Sequence, residues 1–171
     1  MKTWHERHTA LFGAKIPADM GEAWTAVWAA KGYTDAILSQ AVLRIAQLPI
    51  EKRPQWPTEH IEAIERLSSQ ILIDRALAGQ LGAKELMLAS TLAEENAKLA
   101  RDAAKKKCVG FAEWDAEKGL PEAKAYHQAK AILEKIKILA GPIAIGCKPD
   151  NWNQRILQVR EVLSSVGGRI G

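Results

Sequence analysis

Apolar residues recur along this chain at intervals of three and four, and almost nowhere at intervals of two. Trp24, Val27 and Trp28 share one helical face; Ile37, Ala41, Val42, Ile45 and Leu48 share a second; Ile61, Ile64, Leu67, Ile71 and Leu72 share a third. That spacing places side chains on one stripe of a 3.6-residue helix, whereas a half-buried strand would alternate. No run alternates apolar and polar residues between turn signals, so the pattern predicts an all-α fold.

Glycine and proline punctuate these stretches. A first short helix is predicted over Thr3 to Phe12, with Gly13 as its left-handed stop. Pro17 and Asp19 precede the Trp24 helix, which should end at Gly32, and Thr34 is positioned to accept a backbone N–H as the next N-cap. Pro49 forbids continuation of that helix. The loop PIEKRPQWPT carries three of the seven prolines, so it should be stiff and extended and should hold Trp56 in place. Thr58 is the expected cap of the following helix, and a break is expected around Gly79 to Gly82.

From Ala83 to Lys107 the chain runs 25 residues without proline or glycine and is rich in Ala, Leu, Glu and Lys, which predicts one long helix. Leu88, Leu92 and Leu99 lie on one stripe, but Glu95 and Asp102 interrupt the seam that a coiled coil needs. Pro121 should start another helix with Tyr126, Ala129, Leu133, Ile136 and Ala140 facing inward. Two long helices joined by a loop make a helical hairpin. A last helix from about Asp150 would carry Trp152, Ile156, Val159 and Leu163 on one side before a glycine tail. The expected organisation is an N-terminal helical domain over residues 1–67 and, over 68–171, a hairpin plus terminal helix.

The stretch from Glu22 to Leu67, with two Trp-bearing turns, a small-residue and aliphatic helix and the QWPT step, resembles the N-terminal helical domain of phage replicative-helicase loaders. The resemblance covers about the first two-fifths of the chain. It implies a partner, a replicative helicase, and a function: binding that helicase and helping to place it on DNA. It also implies host cytoplasm as the compartment if the chain is phage-encoded. The C-terminal hundred residues depart from that family's short helicase-binding tail.

Charge refines the picture. The net charge is +4, with residues 1–67 holding 8 Lys/Arg against 8 Asp/Glu and residues 68–171 holding 16 against 12, so the excess lies entirely in the second part. A balance this mild permits contact with DNA without requiring it. The densest basic cluster is Lys98, Arg101, Lys105, Lys106 and Lys107. As nucleic-acid ligands these would meet phosphates; as a helix end they would offset the negative end of the helix dipole. Two cysteines, Cys108 and Cys147, are too few for a disulfide framework, which favours a reduced, cytoplasmic chain. No segment approaches the length of a membrane span.

Catalytic chemistry finds little purchase. His5 and His8 enclose Glu6 in the order His-Glu-Arg-His, which lacks the i, i+4 histidine pair of a zinc helix, so they read as surface histidines and no metal is expected. GPIAIGCK, Gly141 to Lys148, imitates a phosphate-binding loop, but Cys147 displaces the lysine and Pro149 replaces the hydroxyl residue; it reads as an apolar interhelical loop. No acid–base pair or nucleophile constellation stands out, so the chain reads as a binder rather than an enzyme, without a cofactor. Trp24 and Trp28 are expected in the core. Trp56 and the Trp152, Ile156, Val159, Leu163 stripe are the expected partner-binding anchors. The alternatives to helicase loading are a helical DNA-binding protein of packaging or nucleoid type, and a helical inhibitor of a host factor.

Overall fold

The computed structural model describes residues 2–144. Among them are six α-helices and no strand, so the fold is all-α. The helices are α1 (Trp4–Phe12), α2 (Ala18–Lys31), α3 (Asp35–Ala46), α4 (Pro57–Leu77), α5 (Ala83–Lys107) and α6 (Pro121–Ala144), with single 3₁₀ turns at Ile50–Lys52 and Phe111–Trp114. The expected terminal helix and its stripe Trp152, Ile156, Val159, Leu163 lie outside the described residues, as does Cys147. The chain divides into two compact units, residues 1–74 and 75–171, with the division in the last turns of α4; α4 runs unbroken through Leu67.

In the first unit, Thr3 caps α1 through a capping box with Glu6, and Gly32 stops α2 in the left-handed region at φ 94°, its N–H returning to Ala29. Two expected caps are corrected. Thr34 occupies the N-cap of α3 but its side chain caps nothing. Instead Asp35 Oδ1 accepts from Trp4 N at 2.8 Å, tying α1 to α3. Thr58 is not the N-cap of α4 either, because Pro57 takes the first helical position, where its missing N–H costs no hydrogen bond. Glu59 then does the capping, accepting from Gln55 N at 2.7 Å and Trp56 N at 3.2 Å.

Large rings fill this unit's interior. Trp4 and Trp28 are fully buried and meet edge to face with centroids 5.1 Å apart, and the Trp4 indole N–H donates to Thr25 Oγ1 at 2.8 Å. Ile37, Ala41, Val42 and Ile45 of α3 and Ile61, Ile64, Ile71 and Leu72 of α4 are buried as their spacing predicts. Trp24 is only half-buried and Val27 is exposed, so α2 faces the core with Trp28 rather than with all three residues of its stripe.

In the second unit, α5 spans the predicted residues without change. Its buried stripe is corrected: Leu86, Ala89, Ala93, Ala97 and Ala104 face inward, while Leu88 and Leu92 are half-buried and Leu99 is 68% exposed. Alanine on the seam lets α6 approach closely, and α6 answers with Ala123, Ile136, Leu139 and Ala140. The Gly141–Lys148 segment is likewise corrected at its start, since α6 continues through Ala144 instead of ending in a loop.

Candidate nucleic-acid interface

Helical spacing puts Glu94, Ala97, Lys98, Arg101, Asp102 and Lys105 on one face of α5, and Tyr126, Lys130 and Leu133 on one face of α6. The two faces line a common groove of about 550 Å³. Four cations therefore converge there against two carboxylates. One of those carboxylates, Glu94, is met by Lys137 at 3.3 Å, and Lys130 stands 3.9 Å from Glu134 one turn on. Among the described residues, Lys98, Arg101 and Lys105 make no ion pair, and Asp102 on the same face of α5 offsets only part of their charge.

The structure thus divides the basic cluster read from sequence. Lys98, Arg101 and Lys105 line the groove, joined by Lys130 of α6, which no local spacing could have assigned to it. Lys106 and Lys107 do not line it, and Lys107 instead approaches Glu122 at 3.6 Å near the start of α6.

Beyond the groove, the connection from α5 to α6 is heavily hydrogen-bonded. Glu113 accepts from Val109 N at 2.5 Å and Gly110 N at 3.0 Å; Asp115 Oδ1 accepts from Glu117 N at 2.8 Å and Lys118 N at 2.7 Å. These N–H groups hold both carboxyls below their ordinary pKa. Gly119 is required by close approach, because a Cβ there would sit 2.4 Å from the Asp115 carbonyl oxygen. Trp114 Nε1 donates to the Cys108 carbonyl at 3.2 Å, and His127 Nε2 lies 2.8 Å from the Trp114 carbonyl. Cys108 is a buried free thiol whose pKa is raised by burial and by Glu113 and Glu122, the opposite of an activated nucleophile. Trp114 and Tyr126 pack against the Ala104, Cys108, Ala123 cluster.

In the first unit, His8 is corrected from surface to core. It is fully buried, its Nε2 lies 3.0 Å from Nδ1 of the equally buried His60, and Phe12 packs against both rings with centroids 5.0 and 5.1 Å away. One ring donates and the other accepts across that contact, so at least one of the two facing nitrogens carries no proton. Burial, then the neighbouring His60 and His5, lowers His8 to about 4; burial, then Lys15, lowers His60. Among the described residues no three His, Cys, Asp or Glu converge as a metal set. A histidine in a nine-residue helix carries no sequence signal for a partner 52 positions away.

Trp56 stands 68% exposed on the proline loop, with Ile50 at 74%. Arg53 pins the loop by donating from Nε to the Leu48 carbonyl at 2.9 Å and from Nη2 to the Ala46 carbonyl at 2.7 Å, capping the end of α3. The 3₁₀ turn Ile50–Lys52 interrupts the loop, so it is not extended throughout as expected, and it presents Trp56 to solvent. Among the described residues no helix is long and apolar enough to cross a membrane. No family model, curated protein or solved structure matches this chain.

Proposed function

We propose that this protein is a non-catalytic accessory factor of DNA metabolism that grips the phosphate backbone with the groove of its helical hairpin. The convergence of Lys98, Arg101 and Lys105 from α5 with Lys130 from α6 carries the reading. Lys98, Arg101 and Lys105, which make no ion pair among the described residues, would bind phosphates by releasing the counterions condensed on the nucleic acid, so affinity falls with salt in proportion to the contacts made. Arg101 adds a planar donor fork suited to phosphate oxygens, and the lysines add point charges. Titrating a fluorescent oligonucleotide at several salt concentrations tests this. The triple change Lys98→Gln, Arg101→Gln, Lys105→Gln should flatten the log K versus log salt slope by about 2–3 units, in line with roughly 0.7–0.9 per phosphate contact. Lys107→Gln, outside the groove, should change it by less than about 1. Equal slopes for all three proteins would exclude the groove.

A second reading is favoured by Trp56: the protein acts as an adaptor that binds a replicative helicase and helps load it on DNA. A rigid loop displaying a large aromatic has little entropy to lose on docking, and such anchors dominate interface energies. An adaptor of this kind would bind an open form of the helicase ring more tightly than the closed one, and its release would let the ring close. Capture of a hexameric replicative helicase that is lost on Trp56→Ala, with unchanged melting, supports the adaptor. Retention of a different host protein, with no affinity for DNA, would point to an inhibitor instead.

A further inference from the structure

The loop joining α5 to α6 is rigid, yet Val109 and Phe111 on it are 94% and 99% exposed. Hydrogen bonds from Val109 N and Gly110 N to Glu113 hold this apolar tip in water. Phe111 also walls a cavity of about 390 Å³ together with Trp114, Asp115 and His127. Trp114 meets Tyr126 edge to face, with centroids 6.1 Å apart and planes at 89°, and Tyr126 lines the cationic groove. The Trp114–Tyr126 contact therefore sets the wall of the tip cavity directly against the wall of the groove.

We propose that the groove and the tip cavity form one track for single-stranded nucleic acid, in which phosphates lie along Lys98, Arg101 and Lys105 and an unpaired base stacks on Phe111. The track rests on the nucleic-acid reading above and adds to it the strandedness of the ligand and a base-contacting residue. Lys98 to Lys105 spans about 10 Å of α5 at roughly 1.5 Å per residue, room for a few nucleotides before the tip. A base offers a flat apolar face to Phe111 and Trp114 and a polar edge. Asp115, kept ionised by the N–H groups of Lys118 and Glu117, stands beside those rings as an acceptor for an amino or ring N–H on that edge. Bases inside a duplex have both faces stacked and present no free face to Phe111.

Charge also distinguishes this ligand from a lipid surface. Glu113, bonded to Val109 N and Gly110 N, and Asp115, in the cavity wall, stand at the apolar tip, where they would repel a sheet of anionic headgroups, whereas the groove's cations are set back along α5 where phosphates of a strand would run.

The test compares fluorescein-labelled mixed-sequence single strands, the matched duplex, and a single strand of the same length with abasic sites. Phe111→Ala is the variant, since so exposed a side chain can be removed without unfolding the hairpin, and a circular-dichroism melt checks that. The expected result is an affinity loss of about 5- to 150-fold on the single strand, the range for removing one base–aromatic stack. Duplex and abasic affinities should be unchanged, and Phe111→Tyr should retain affinity. If Phe111→Ala binds the single strand like the parent while the Lys98, Arg101, Lys105 variant loses it, phosphate binding stands and the base track is overturned. An equal loss on the abasic strand overturns it as well. A parent protein that binds neither strand nor duplex overturns both readings. Phe111-dependent capture by phosphatidylserine vesicles, without an effect on oligonucleotides, would assign the tip to lipid and overturn the track.

Discussion

The first unit builds its interior from large rings, whereas the α5–α6 hairpin builds its seam from alanine. In residues 2–74 the buried set includes Trp4, His8, Trp28 and His60, supplied by three helices, and Tyr33 from the α2–α3 connection. In the hairpin, Ala89, Ala93, Ala97, Ala104 and Ala123 lie at 7% exposure or less, and many of the long side chains of α5, Lys98, Leu99 and Arg101 among them, are left outside. Each arrangement is vulnerable to the opposite change. A core of rings loses most when a ring is cut away; a seam of alanine loses most when a methyl group becomes a larger side chain. The alanine seam also leaves the charged side chains of α5 such as Lys98 and Arg101 on the exposed side of the helix.

The largest expected effect is on the ring core. Trp28→Ala should destabilise the first unit by about 3–5 kcal/mol, as for deletion of a fully buried aromatic, in a urea titration followed by circular dichroism. Trp24→Ala, at a half-buried site, should cost clearly less; equal losses would remove the distinction between the two faces of α2.

Next comes pH, where the buried histidine pair of the first unit should dominate between pH 7 and about 4, above the range in which the lowered carboxyls Glu113 and Asp115 of the second unit titrate. A histidine whose folded pKa is depressed leaves the unfolded chain binding more protons between the two pKa values, so stability is present above 6.5 and is lost as pH falls toward about 4. The loss from His8 is on the order of 3 kcal/mol at full protonation, and His60 shifts in the same direction. Protonation would bury a cation whose Nδ1 has no hydrogen-bond partner among the described residues. His8→Gln, which retains a donor, should flatten stability measured between pH 7 and pH 4; an unchanged profile would place the titration elsewhere.

The alanine seam should show the converse sensitivity. Ala93→Leu should cost about 1–3 kcal/mol through overpacking, while Leu99→Ala on the same helix should stay within about 0.5 kcal/mol. Thermal melts of both variants decide this: a destabilising Leu99→Ala would mean that the leucine stripe, and not the alanine one, faces α6. The smallest stability effect belongs to Trp56→Ala, expected within about 0.5 kcal/mol because the ring is exposed. A large loss would show it packing against the first unit after all.

How far the chain could be read varied with the range of the interaction. The limits of α5 and the start of α6 at Pro121 followed from helix propensity and proline geometry, both local properties. The α5 seam did not, because leucine and alanine both recur there at helical intervals, and hydrophobicity alone favours the leucines. The partner helix chose alanine, since interhelical distance is set by the smaller residue. The cluster Lys98, Arg101, Lys105 was legible as a charged face. Lys130 was not, because its place in the groove depends on how α6 lies against α5. Glu59 in the capping of α4 was missed for a nearer reason: Thr58 is a good cap type, but Pro57 before it already occupies the first turn.

By itself, the sequence determined an all-α chain, the bounds of α5, the start of α6 and the position of its excess charge, because these depend on residues within a few turns of one another. Tertiary structure alone decided that His8 meets His60, that Trp56 and Phe111 face water, and that alanine rather than leucine closes the hairpin. Each of those outcomes compares the free energies of alternative packings between segments distant along the chain, and such comparisons leave no periodic trace in the sequence.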